Sequence, residues 1–167
     1  ADMVADFFSD FQEAYQASER LILLLEKTPN DRALLNDLFR RVHTIKGNLI
    51  YIGLADICPL LQAVEDVLEP VRKGQLRYDD LLSDVILLTM DTTQELVDAR
   101  LNQRPAPIDA DRINAICESI SLIARCAISE RPTTIGHAIR ALDPEAEVPT
   151  LEEYSQYGIR LNSDLRF

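Results

Sequence analysis

Apolar residues recur at spacings of three and four along most of this chain, and that period decides most of what it can fold into. From Met3 to Glu26, a stripe of Val4, Phe7, Phe8, Phe11, Ala14, Tyr15, Ser18, Leu21, Ile22 and Leu25 runs down one side of a long helix. Asp2, Asp6 and Asp10 lie near its start, where the helix dipole favours negative charge. Thr28-Pro29-Asn30-Asp31 breaks the pattern, and Asn30 or Asp31 can cap the next helix. That second helix is predicted over Arg32–Tyr51, with Leu35, Leu38, Val42, Ile45, Leu49 and Ile52 inward and Gly53 closing it. A third runs from Asp56 to Lys73 on Ile57, Leu60, Leu61, Val64, Leu68 and Val71, with Gly74 at its end. Pro59 suits a first turn, whereas Pro70 removes a backbone bond and crowds the carbonyl of Asp66, which predicts a bend or early fraying.

Asp79 is a plausible cap for a fourth helix reaching Asn102, followed by a stiff Arg104-Pro105-Ala106-Pro107 linker. A fifth runs from Asp109 to Ile128, with Ile113, Ile116, Cys117, Ile120 and Ile123 inward, and Arg131-Pro132 ends it. Thr134–Leu142 has room for one or two helical turns. Asp143–Phe167, with Pro144, Pro149 and Gly158, predicts an irregular tail holding a short helix at Leu151–Tyr157. Short loops between long amphipathic helices imply antiparallel neighbours. The expected fold is therefore all-α: an up-down-up-down four-helix bundle over 3–103, with the fifth helix (109–128) packed outside or across one end. Residues 129–167 are expected to be an extension or the start of a linker. The Met and Phe positions are expected in the core.

Composition removes several function classes. Seventeen Lys and Arg against 28 Asp and Glu give a net charge of −11, which does not suit a nucleic-acid backbone or an anionic membrane. No apolar run approaches the roughly 20 residues that span a bilayer. Cys58, Cys117 and Cys126 are odd in number and form no C-x-x-C pair, so the expectation is a reducing cytoplasm with neither disulfide nor zinc. The chain begins at Ala1, which suggests a processed or excised piece, and its first stripe is used up by the bundle, which suggests a monomer. No glycine-rich phosphate loop is present, so an ATP site of its own is not expected.

The chemistry-bearing segment is Phe39-Arg40-Arg41-Val42-His43-Thr44-Ile45-Lys46-Gly47-Asn48. His43 lies about 100° around the helix from the inward Val42, on a partly exposed flank. Arg40, Lys46, Gly47 and Ile50 share its side. Gly47 costs about 1 kcal/mol relative to Ala in a helix interior. Helical side chains lean toward the N-terminus, so a glycine at 47 leaves the imidazole uncovered. A mobile Lys46 ammonium one turn away can offset charge on an incoming phosphoryl group. In the third helix, Gln62, Glu65 and Asp66 flank the apolar stripe. In an antiparallel pairing Glu65 can accept from Nδ1–H of His43 and leave Nε2 free as a nucleophile. His137, with no base or cation pattern around it, is assigned no role.

His43-Thr44-Ile45-Lys46-Gly47 followed by Gly53 resembles the H-x-x-K-G…G signature of histidine-containing phosphotransfer (HPt) domains. The likeness extends to Phe39-Arg40, Glu65, Arg72-Lys73-Gly74 and the long fourth and fifth helices, and is greatest to the N-terminal phosphotransfer domain of chemotaxis-type histidine kinases. It implies a phosphoacceptor His43, a phosphoryl-orienting Lys46 and a ring-holding Glu65. It implies partners too: a response-regulator receiver domain, a histidine kinase catalytic domain, or both, with Mg²⁺ on the partner and no cofactor in this chain. Docking is expected around Arg40, Ile50, Leu54, Gln62 and Asp66. Asn48, Leu49, Ile50 and Tyr51 are bulkier than in many members, and Pro70 is unusual. Two other readings stand beside this one: a helical docking or dimerisation module in which the histidine is a relic, and a regulatory input domain cut from a larger output protein.

Overall fold

The computed structural model describes residues 2–147, and among them the secondary structure is entirely helical. The helices are α1 (Asp2–Lys27), α2 (Arg32–Tyr51), α3 (Cys58–Arg72), α4 (Asp80–Leu101), α5 (Ala110–Arg125) and α6 (Arg131–Leu142), with a 3₁₀ turn at Ile128–Glu130. α1 packs on α2 and α4, and α3 packs on α2 and α4, so the first four helices close into a ring. Cross-links give the directions. Asn36 meets Arg72, His43 meets Glu65 and Lys46 meets Gln62, so numbers fall on α3 as they rise on α2. Gln12–Gln94, Tyr15–Asp91 and Glu26–Ser83 run the same way between α1 and α4. Both seams are antiparallel, as short loops require.

Helix starts follow local chemistry. Asp31, Asp79 and Asp109 each accept from a backbone N–H of the first turn, from Leu34, Leu82 and Arg112. Two of the ends use glycine in the left-handed region. Gly53 (φ +86°) and Gly74 (φ +72°) follow α2 and α3, and each closes a paired-bond cap. In the first, Leu54 N–H donates to Leu49 and Gly53 N–H to Ile50; in the second, Gln75 donates to Pro70 and Gly74 to Val71. α4 ends the same way with Gln103 (φ 54°), where no glycine relieves the Cβ.

The core is a continuous cluster of Leu, Ile and Val, with Tyr78 wholly inside and its hydroxyl on Ser83 at 3.0 Å. Thr89 and Thr93, which dilute the apolar pattern of α4, bond the carbonyls four residues back at 2.6 and 2.8 Å, so their burial leaves no orphan donor. Met90 is buried, but Met3 is exposed at the start of α1, contrary to the core assignment.

Three expectations change. α3 does not fray at Pro70 but runs on to Arg72. The proline sits in the last turn, where its carbonyl accepts from both Gln75 and Leu76 at 2.8 and 3.2 Å. α5 stops at Arg125, short of Ile128, because Cys126 is already extended. Pro132 starts a helix rather than ending one. At the first turn of α6 its missing N–H costs nothing, and the 12-residue helix packs on α5 and α4 through Ile135, Ala138 and Ile139. The predicted helix at 151–157 lies outside the described residues.

Candidate functional site

α2 and α3 together hold the site. Val42 and Ile45 are buried, and this inward pair rotates His43 outward, where its side chain is 67% exposed. Glu65 turns inward from α3 between Val64 and Val67, and its side chain is only 5% exposed. A buried carboxylate needs partners, and both of its oxygens have one. Oε1 lies 2.6 Å from His43 Nδ1, and Oε2 accepts from Lys46 Nζ at 2.6 Å. A carboxylate can only accept, so Nδ1 carries a proton, and in the neutral form of the ring the lone pair lies on Nε2.

Lys46 is not the mobile cation its sequence position suggested. Its side chain is 16% exposed, and Nζ also donates to Gln62 Oε1 at 2.8 Å. The Gln62 amide is fixed in turn, with Nε2 donating to Asp66 Oδ1 at 2.9 Å. The result is one connected chain of polar groups, Asp66–Gln62–Lys46–Glu65–His43, along the outside of the α2–α3 seam. Two of the three Lys46 donors are occupied, so one remains for another acceptor. Sequence reasoning had Gln62 and Asp66 only as docking residues. Gln62 lies three residues before Glu65 on the same helix, and that spacing was the available signal. Cys58 is buried in the core, and its thiol approaches the carbonyl of Lys46 at 3.5 Å, which ties the start of α3 to the back of the site. Burial pushes this thiol above its ordinary range.

Around His43 the surface is open. A Cβ added to Gly47 would meet no heavy atom within 4 Å, so even a methyl would not crowd the resting imidazole. The space therefore belongs to whatever approaches from outside. Ile50 and Tyr51 are exposed, the latter 83%; a separate cleft of about 500 Å³, lined by Tyr51, Ile52, Leu101 and Met3, lies between the end of α2 and the start of α1 and does not include His43. Arg40 is exposed one turn before His43. Leu54 does not join this surface. As the residue after the Gly53 cap it folds inward and is buried, which removes it from the docking set. His137 is exposed on α6. The three cysteines are free thiols, and among the described residues no group of three His, Cys, Asp or Glu side chains is placed to hold a metal.

A four-helix ring that presents a hydrogen-bonded histidine halfway along α2 defines one class of domain. The chain belongs to the Hpt domain family, which matches residues 2–103. Its relatives narrow the class further. It is 28% identical over 155 residues to the chemotaxis protein CheA of Bacillus subtilis (strain 168), aligning 92% of this chain with 23% of that protein. It is 35% identical over 100 residues to the sensor histidine kinase CheAY of Helicobacter pylori, covering 58% of this chain and 12% of that one. A match to CheA of Treponema pallidum, 26% identical over 114 residues, covers 68% of this chain and 14% of that protein. The chain thus spans less than a quarter of the length of these relatives. Among solved structures, the solution structure of the histidine phosphotransfer domain of CheA superposes with a TM-score of 0.62 at 26% identity, covering 71% of this chain and 90% of that one. Among the described residues no helix is long and apolar enough to cross a membrane.

Proposed function

We propose that this chain is a histidine phosphotransfer module of a two-component phosphorelay, and that His43 is its phosphoryl carrier. The observation that carries the reading is the ring of His43, open to solvent yet anchored at Nδ1 by the buried Glu65 at 2.6 Å. A ring anchored at Nδ1, with Nε2 left to carry the lone pair in its neutral form, is a pre-aimed nucleophile. Nε2 attacks the phosphorus of a partner's aspartyl phosphate, an N–P bond forms, and the P–O bond breaks with the electron pair leaving on the carboxylate. Running backward, the same step delivers the group to a receiver aspartate. A kinase domain holding ATP is the other donor, with ADP leaving.

Glu65 holds the tautomer and steadies the charge that grows on the ring. The spare Lys46 donor offsets charge on the phosphoryl oxygens. Gln62, itself fixed by Asp66, holds Lys46, and with Arg40 and Ile50 the two edge the docking surface. Mg²⁺ on the partner receiver or kinase domain supplies the remaining neutralisation, so this chain acts as a carrier with no cofactor of its own. The relatives are longer signalling proteins, and this chain serves as the phosphotransfer segment of such an assembly in the cytoplasm. The experiment is to incubate the chain and its His43→Gln variant with a ³²P-labelled receiver domain. Acid-labile, alkali-stable label on the parent alone is the expected result; equal labelling of the variant would sink the assignment.

A further inference from the structure

Charge is spread unevenly over the bundle. α1 carries six acidic residues against Arg20 and Lys27, and α4 carries five against Arg100. α3 has Glu65, Asp66 and Glu69 against Arg72. α2 reverses the balance, with Arg32, Arg40, Arg41 and Lys46 against Asp37 alone. It is the one helix of the four-helix ring with surplus positive charge. α6 also carries only basic charge, Arg131 and Arg140, but it packs on α4 and α5.

On α2 the surplus is available rather than spent. Lys46 is committed to Glu65, whereas Arg40 and Arg41 share the single carboxylate of Asp37 at 3.7 and 3.3 Å. The Arg40 side chain is 79% exposed. It sits one turn from His43, a separation of about 5–6 Å between Cβ atoms, inside a Debye length of about 8–10 Å at physiological salt. The charge is therefore felt where a partner must arrive.

Resting on the phosphotransfer reading, we infer that the basic half of α2 is an electrostatic guide for a receiver domain whose acceptor site is ringed by carboxylates. A site that holds Mg²⁺ next to an acceptor aspartate sets one or two further carboxylates beside it, and it is negative wherever these outweigh the charge of the bound ion. Such a site is repelled by most of this molecule, whose net charge is −11, and attracted by α2. The favoured encounter is the one that presents His43 first. Placement of charge, not its total, sets the productive on-rate, in which steering effects span roughly 10- to 1,000-fold.

The test loads the 167-residue chain with phosphoramidate, a small donor that needs no docking, and follows second-order transfer to a receiver domain over a salt series. The parent rate is expected to fall steeply with salt. Arg40→Glu with Arg41→Glu is expected to lower the low-salt rate at least about tenfold and to flatten the salt dependence. Adding Glu13→Lys and Glu95→Lys, both exposed and on α1 and α4, restores the net charge to −11 while leaving α2 reversed. No recovery of rate is the expected result. Full recovery, or a parent rate indifferent to salt, would overturn the inference while leaving phosphotransfer intact. Failure of phosphoramidate to label His43 would remove the phosphotransfer reading and this one with it.

Discussion

Two seams of the bundle are built alike and end differently. Between α1 and α4, Tyr15 donates to Asp91, Gln94 to Gln12, and Tyr78 to Ser83, which donates to Glu26. Between α2 and α3, Lys46 donates to Gln62 and Glu65 and His43 donates from Nδ1 to Glu65, while within α3 Gln62 donates to Asp66. Both link antiparallel helices through long side chains over an apolar core. The α1–α4 links start from the buried Tyr15 and Tyr78 hydroxyls or join the two glutamines, and each is closed by a paired partner. The α2–α3 chain runs outward and stops at an unpaired ring nitrogen. The same interhelical hydrogen bonding holds a fold together in one place and aims a nucleophile in the other, and the exposure of the terminal group decides which.

The sharpest way to break that contrast is Glu65→Gln. The amide removes the charge that holds the ring and leaves Lys46 without its buried counter-ion, so transfer should fall by about 100-fold or more, measured as the initial rate of labelling. The α1–α4 seam should respond to alkali instead. Burial and the neighbouring Asp91 carboxylate push the Tyr15 phenol above its usual value near 10, and burial does the same to Tyr78. These phenols stay protonated in the folded state while unfolded ones ionise, so their stabilising contribution is present below pH 10 and lost above it. Thermal melts should show stability declining from about pH 10 upward, and Tyr15→Phe should reduce that decline. A melt curve flat through this range would contradict the buried phenol network.

Gly47→Ala separates stability from access. It should stabilise the helix by about 1 kcal/mol, since nothing obstructs the methyl, while slowing transfer from a receiver that must approach that surface. Denaturant titration together with transfer rates would show both, and a gain in both would mean that the open space is incidental. The smallest effect is expected at Gln103→Gly. Relieving a left-handed residue at the end of α4 should add about 1 kcal/mol with no change in transfer.

Much of this was legible because the signals were local. The α2 boundaries follow from Asp31 and Gly53, and the starts of α4 and α5 from Asp79 and Asp109. Glu65 could be placed because antiparallel packing and helical spacing together leave few partners for His43. What failed depended on direction or depth. Arg131-Pro132 reads equally as a stop or a start, since proline suits both, and only packing on α4 and α5 decides for α6. Leu54 looked like a surface leucine after a glycine turn, yet the cap turns it inward. Lys46 was right in type and wrong in freedom, because its rotamer is set by Gln62 and Glu65 across the seam.

The central claim is that Glu65 keeps the proton on Nδ1 and offers Nε2 of His43 for phosphorylation. Long-range ¹H–¹⁵N correlation spectra of the ring, before and after phosphoramidate, read both atoms directly. The structure predicts the Nδ1–H tautomer at rest and phosphorus on Nε2 afterward. An Nε2–H tautomer at rest, or a phosphoryl group on Nδ1, would contradict it.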